Sequence, residues 1–107
     1  MAWNYSKYQR GLTSSIPKRS GIYAILHVVR EHGFPISHRI IYVGKSNNLQ
    51  RRWKEHLDPN EKNPSIRKVQ HSDNLEFWWR PYPLSKLSEV ESELIKKIKP
   101  YANTVGV

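Results

Sequence analysis

No cysteine occurs anywhere in the chain, which excludes both a disulfide framework and a thiolate zinc site. The five histidines are scattered without the spacing of a metal-ligand set. No apolar run approaches the roughly 20 residues that a membrane-spanning helix requires, so a membrane is not an expected partner. The opening residues, Met1-Ala2-Trp3-Asn4-Tyr5, lack the charged-then-apolar layout of a secretory signal, and the expected location is cytoplasmic. Acidic side chains are scarce as well: Asp and Glu total 9 against 18 for Lys and Arg, a formal charge of +9. An excess of one sign says nothing about fold, yet it raises the local concentration of polyanions. Nucleic acid is the polyanion this implies. The length, 107 residues, predicts one domain spanning 1–107. A domain of that size buries roughly 60–70% of the surface its unfolded chain exposes.

What is present reads as a succession of strand and helix signals. Residues 1–20 are polar, basic and aromatic without a clear period, and are expected to form an irregular or partly helical lead-in ending at Pro17. Gly21-Ile22-Tyr23-Ala24-Ile25-Leu26-His27-Val28-Val29 and Arg39-Ile40-Ile41-Tyr42-Val43 are β-branched and aromatic runs that predict strands. Turn residues in Glu31-His32-Gly33-Phe34-Pro35 join them as an antiparallel hairpin with a long loop. Setting Tyr23 opposite Tyr42 pairs Ile25 with Ile40 and His27 with His38, and puts both tyrosines on one face.

After Gly44 the period changes to 3.6. Leu49, Arg52, Trp53, His56 and Leu57 predict a helix capped by Ser46 or Asn47 and stopped by Asp58-Pro59-Asn60. Asn63-Pro64 caps a short helix carrying Ile66 and Val69. Leu75-Glu76-Phe77-Trp78-Trp79-Arg80, closed by Pro81 and Pro83, reads as another strand. Leu87, Val90, Glu91, Leu94, Ile95 and Ile98 form a helical stripe ended by Pro100. The order β-β-α-α-β-α predicts an α/β fold: a small three-stranded, mostly antiparallel sheet flanked by helices.

Several polar residues sit where chemistry could use them. Glu91 is a carboxylate within an apolar stripe, costly to bury as an ion without a partner. It reads equally as a ligand for a hard divalent cation or as half of a capping box, because Ser88-x-x-Glu91 fits Ser-x-x-Glu. A helix start near Ser85 would argue against the box. Arg52 and His56 are four apart and share a helix face, at the edge of the side that Leu49 and Trp53 bury. Taken alone they read as a solvated basic face, where Arg52→Ala would remove little stability. Tyr23 and Tyr42 alone read as core aromatics, and Gly44 as a tight turn or a close backbone approach.

In order and spacing, however, these positions resemble the GIY-YIG nuclease family. Gly21-Ile22-Tyr23 is similar to its first signature and Tyr42-Val43-Gly44 to its second. Lys45 through His56 is similar to the family's Lys-x-x-Asn-Leu-x-x-Arg-x-x-x-His helix. Glu91-x-x-Leu94-Ile95-Lys96, with Pro100 and Asn103, resembles its closing acidic helix and asparagine. Pro17 ahead of Gly21 resembles the opening of excision-repair incision subunits. The likeness covers residues 16–103; the connection between the two signatures is longer than the family's usual one.

The resemblance implies a metal-dependent endonuclease that hydrolyses phosphodiester bonds in DNA. Glu91 is then the metal ligand, holding Mg²⁺ or Mn²⁺ as a Lewis acid on the phosphate. Arg52 presents its donor fork to phosphoryl oxygens, Lys45 adds a second charge, and Arg51 and Lys54 contact the nucleic-acid backbone. Tyr23 is implied as general base toward water, with Tyr42 and His56 positioning it or relaying the proton. An ordinary tyrosine, of pKa about 10, is only about 0.1% ionised at pH 7. That role therefore needs its pKa lowered by roughly two or three units by Lys45, Arg52 or metal charge. His56, near ~6.5 when unperturbed, is the thermodynamically easier base, and both assignments stay open. Gly21, Gly44 and Asn103 are implied to shape the active-site loop, Asn103 through side-chain hydrogen bonds. One site cuts one strand, so a double-strand break requires a homodimer on the duplex or two visits.

Two other readings compete. One is a non-catalytic nucleic-acid-binding module of the same fold; the other is a small RNA-binding protein that stacks bases on Trp78, Trp79 and Tyr82. In each, basic side chains dominate affinity, so DNA binding is predicted to be micromolar or weaker and to fall steeply with salt. The measurement is affinity against the logarithm of salt concentration. A flat line would remove the electrostatic footing for a nucleic-acid partner.

Overall fold

A computed structural model describes residues 3–9, 15–100 and 102–103. Its strands are β1 (Asn4–Lys7), β2 (Gly21–Glu31), β3 (Phe34–Ser46) and β4 (Leu75–Pro81), and its helices α1 (Leu49–Leu57), α2 (Pro64–Val69) and α3 (Leu87–Ile98). The strands form one sheet in the order β1-β4-β2-β3, each neighbouring pair antiparallel. β2 reads as a continuous apolar run because both of its faces are covered, and residues 21–25 are all buried. On one face Tyr23, Ile25 and Phe77 pack with Leu49 and Trp53 of α1 and Ile66 of α2. On the other, Ile22, Ala24 and Val43 meet Leu87, with Val90, Leu94 and Ile95 of α3 packed around them.

The sheet has four strands rather than the expected three. The extra one, β1, lies in the supposed irregular lead-in and pairs with β4 from Asn4↔Trp79 to Lys7↔Glu76. Asn4-Tyr5-Ser6-Lys7 has no strand period; the open edge of β4 recruits it. Tyr5 lies opposite Trp78 in the ladder and stacks on it with centroids 4.6 Å apart. Residues 16–19 then cross the start of α1, where the carbonyls of Arg19 and Pro17 accept the N–H groups of Leu49 and Gln50. Those are donors that a helix cannot satisfy internally.

The hairpin also departs from expectation. β2 and β3 are joined not by a long loop but by a two-residue turn, His32-Gly33, with φ of 50° and 82°. Positive φ at both positions is the turn that matches strand twist. The added length between the two signatures has gone into longer strands. Register shifts accordingly: Tyr23 faces Gly44 and Ile25 faces Tyr42, not Tyr42 and Ile40. An irregularity follows Ile25, so that Leu26 faces Ile40 and His27 faces Arg39 rather than His38. Ile41 is the unpaired residue, a bulge that no period-2 pattern can announce. Both tyrosines still share a face, because Tyr42 is two residues from Gly44.

Two helix starts are corrected as well. Asn48 caps α1, its side chain accepting from Arg51 N–H; Ser46 instead bonds with the backbone of Asn48. A 3₁₀ turn, Leu84–Lys86, runs directly into α3, whose N-cap Lys86 makes no side-chain cap bond. Ser88 thus lies inside the helix, and Ser88-x-x-Glu91 is not a capping box. α3 ends at Lys99, in the left-handed region at φ 52°, just before Pro100.

Gly44 is fixed by what stands over it. A Cβ there would fall on the hydroxyl and ring carbons of Tyr23, whose ring is itself pressed against Phe77. Gly44→Ala should therefore cost about 1–3 kcal/mol as an overpacked core, a fall in Tm of at least about 4 °C. Thermal melting checks this; an unchanged Tm would mean that the tyrosine has room to yield.

Candidate active site

Tyr23 comes from the central strand and meets two side chains of the helix that covers it. Its hydroxyl lies 2.6 Å from His56 Nε2 and accepts from Arg52 Nε at 3.2 Å. The i,i+4 spacing delivers Arg52 and His56 to one face of α1, and the buried Leu49 and Trp53 press that helix onto the sheet. The Tyr23 ring stacks on Phe77 with centroids 5.2 Å apart and planes 9° from parallel. Tyr42, on β3, has its ring centroid 6.0 Å from Tyr23 and 5.4 Å from His56. Tyr23, Tyr42, Arg52 and His56 thus form one cluster. Exposure separates its members: Tyr23 is 0% and His56 2% exposed, whereas Tyr42 and Arg52 are half-buried.

Enclosure governs ionisation. Burial pushes the Tyr23 phenol well above the ordinary tyrosine range and Tyr42 adds to this, while the charge and hydrogen bond of Arg52 oppose it without prevailing. The lowered pKa that a standing tyrosinate requires is absent; in the protein alone Tyr23 is a neutral phenol. For Arg52, burial disfavours the charge, but Tyr23 and Glu55 outweigh burial and hold the guanidinium protonated. Its Nη1 donates to Glu55 at 3.1 Å. Arg52 is therefore no member of a solvated face, since its Nε is committed to a buried hydroxyl.

The backbone around the cluster is held from several directions. At Gly21 a Cβ would approach the Arg80 carbonyl oxygen to 2.6 Å and Leu49 to 2.8 Å, so strand and helix close up only on a glycine. Asn103 closes the outer edge of β3. Its Oδ1 accepts from Val43 N–H and its Nδ2 donates to Val43 O, each at 2.8 Å. Both polar groups of an edge residue are thereby satisfied, and the chain between Tyr42 and Gly44 is pinned. Lys45 Nζ donates to Ser88 Oγ at 2.8 Å, tying β3 to the first turn of α3. Arg51, bonded to Asn47 at 2.6 Å, and Lys54 are exposed. Among the described residues neither bonds to the cluster.

Glu91 lies on α3, one turn beyond the Ser88 that Lys45 holds, in the layer on the other face of the sheet from the tyrosine cluster. It is half-buried, and among the described residues it makes no hydrogen bond or ion pair. A half-buried carboxylate with no protein partner has its oxygens free to take a cation. No group of three or more His, Asp or Glu side chains suited to a metal occurs among the described residues. A lone carboxylate such as Glu91 could still take Mg²⁺, an ion that keeps much of its water and binds through one or two carboxylates plus phosphate.

One participant escaped the sequence reading. Glu61 lies in the loop after α1, where Asp58-Pro59-Asn60 had marked only a helix stop, and its Oε2 sits 3.0 Å from His56 Nδ1. The available signal was the histidine itself, since a buried imidazole needs partners for both nitrogens. The base-stacking reading fares differently. Trp79 is 7% exposed, Trp78 is covered by Tyr5, and the Arg80 guanidinium lies 5.0 Å over Tyr82. These aromatic faces are occupied within the fold.

Comparison with known proteins agrees with this fold. Residues 19–104 match the model of the GIY-YIG catalytic domain family. UvrABC system protein C of Rickettsia rickettsii (strain Sheila Smith) is 30% identical over 87 residues, covering 81% of this chain and 12% of that protein. The corresponding protein of Rickettsia bellii (strain RML369-C) is 31% identical over 88 residues, with 82% and 12% covered. The chain thus spans about 12% of the length of these curated relatives. Among solved structures, the GIY-YIG N-terminal endonuclease domain of UvrC from Thermotoga maritima, bound to magnesium as its catalytic divalent cation, superimposes with a TM-score of 0.61 at 21% identity. That superposition covers 88% of this chain and 93% of the other. A point mutant of the same domain gives a TM-score of 0.57 at 25% identity, over 87% and 91% of the two chains. With its two signatures on paired strands and its acidic helix packed behind them, the chain belongs to the GIY-YIG nuclease family.

Proposed function

We propose that this chain is a divalent-metal-dependent endonuclease that hydrolyses phosphodiester bonds of DNA. The observation that carries the reading is the buried Tyr23–His56 pair with the Arg52 guanidinium on the same hydroxyl. Burying a phenol and an imidazole together under a half-buried guanidinium is costly for a core and useful for moving a proton beside a phosphate. The net charge of +9 suits a polyanionic substrate. The Thermotoga maritima relative is an endonuclease domain whose catalytic cation is magnesium.

Hydrolysis requires an activated water, neutralised charge and a stabilised leaving oxygen. Of the two tyrosines, half-buried Tyr42 is the one that meets the attacking water. Tyr23, enclosed behind it, serves as a relay whose hydroxyl passes a proton to His56 as it gains one. The complete burial of Tyr23 favours this relay over its acting as the base in direct contact with water. Arg52 keeps its Nε on Tyr23 and turns the rest of its fork toward phosphoryl oxygens, with Lys45 as a second positive charge. Glu91 would hold Mg²⁺ or Mn²⁺, which supplies Lewis-acid stabilisation of the phosphate and leaving oxygen. Asn103 and Gly44 keep the strand that carries Tyr42 in place.

Arg52→Ala removes a donor from a buried hydroxyl, so it should cost about 1 kcal/mol after allowance for solvent screening. Nicking of supercoiled plasmid should fall by roughly a hundredfold or more, as when one preorganised charge donor is lost. Near-normal nicking would return Arg52 to a structural role.

Glu91→Gln should leave the metal-free Tm within a few degrees, since no bond among the described residues is lost. It should abolish cleavage in Mg²⁺ or Mn²⁺, as EDTA should for the unaltered protein, and leave metal-free DNA binding intact. Retained Mg²⁺-dependent cleavage by Glu91→Gln would sink the metal-ligand assignment. DNA binding by the unaltered chain without any cleavage would make it a binding module of the same fold.

A further inference from the structure

Both ring nitrogens of His56 are engaged inside the protein. Nε2 lies 2.6 Å from the Tyr23 hydroxyl and Nδ1 lies 3.0 Å from Glu61 Oε2. An ionised carboxylate can only accept hydrogen bonds, and a neutral imidazole carries one N–H. If Glu61 is ionised, the proton of His56 must therefore sit on Nδ1, and Nε2 must present its lone pair. The Tyr23 hydroxyl is then the donor to Nε2, while its oxygen accepts from Arg52 Nε. One carboxylate sets the polarity of every bond in the chain.

Glu61 is well placed to do so. Its side chain is 11% exposed, and its other oxygen, Oε1, accepts the backbone N–H of Asn63 at 3.1 Å. Asn63 in turn caps α2, so the carboxylate is fixed by a helix start. Burial alone would raise its pKa, but the bonds from His56 and Asn63, the charge of His56 when it is protonated and the nearby Arg52 charge outweigh burial and hold it below the ordinary carboxylate range. His56 is likewise fixed, because the Gln70 side chain binds its carbonyl at 2.7 Å.

We propose that Glu61 is a positioning residue of the nuclease reaction: it locks His56 in the Nδ1–H tautomer and so makes Nε2 the acceptor for the Tyr23 proton. The consequence for cleavage rests on the nuclease reading; the tautomer does not. In the reaction the water oxygen bonds to phosphorus and the bond to the leaving oxygen breaks. The water's proton enters the tyrosine cluster, and the Tyr23 proton comes to rest on Nε2. The imidazolium so formed stands against the Glu61 carboxylate, as a buried carboxylate steadies a catalytic imidazole elsewhere. The leaving oxygen takes its proton from solvent.

The test uses the full chain labelled with ¹⁵N-histidine, without metal or DNA, at neutral pH. Long-range nitrogen–proton correlation spectra should show His56 protonated at Nδ1 and bare at Nε2. In Glu61→Gln that signature should be lost, and kcat for plasmid nicking in Mg²⁺ should fall at least roughly tenfold, with KM unchanged within about twofold. Glu61→Asp, which keeps the charge, should recover the Nδ1–H signature and part of the activity. Thermal melting shows that each variant is folded. An Nε2–H tautomer or an imidazolium in the unaltered protein would overturn the proposal, as would a wild-type spectrum or wild-type nicking in folded Glu61→Gln. The expected spectra in a protein that cuts no DNA would support the tautomer assignment and refute the nuclease reading.

Discussion

The hydroxyl of Tyr23 is buried completely, and a polar group so placed must find hydrogen-bond partners inside the protein or destabilise it. Much of the architecture follows from that requirement. α1 must lie where it brings His56 and Arg52 to the hydroxyl. Phe77 backs the ring, and the strand opposite must present Gly44, because any side chain there would occupy the hydroxyl's place. His56, drawn into the same interior, needs a partner of its own and finds Glu61. The polar chain is satisfied at each step, and this is what lets a small core keep ionisable groups in a dry interior.

β3 carries the rest of the site because it is the edge of the sheet. Its inner side pairs with β2, and its outer side is free to take the Asn103 carboxamide at Val43. From this single strand Tyr42 turns toward the α1 face, Val43 toward α3, and Lys45 reaches Ser88. The tyrosine cluster and the acidic helix belong to different layers of the fold, and β2 and β3 are the strands that both of them touch. A sheet covered on both sides gives the rigidity that such a junction needs.

Division of labour within the cluster follows from exposure. The enclosed phenol is pushed away from ionisation by burial, so a role as base asks for charge beyond what Arg52 supplies. Its value lies in a defined hydrogen-bond direction. The half-buried groups, Tyr42, Arg52 and Glu91, have the access that water, phosphate and cation demand. Under the proposed function, chemistry occurs at the rim while proton storage lies inside.

Much of this was legible in the chain order alone. The strand and helix signals from Gly21 to Ile98 depend on local period and on capping residues such as Asn63, and these act over a few residues regardless of context. The spacing of Tyr23, Tyr42, Arg52, His56, Glu91 and Asn103 identified the family for the same reason, since each signature is a local string. Tertiary structure decided what depends on distant partners. β1 is a strand because β4 offered an edge, not because its residues favour one. The hairpin register was set by a tight turn and a bulge at Ile41, which shift pairing without altering hydrophobic pattern. Glu61 became a partner of His56 because the chain folds back after α1, and the ionisation of Tyr23 depends on its enclosure. Sequence fixes which groups are available and in what order; the dielectric around each, and the neighbour that completes its hydrogen bonds, exist only once the layers close.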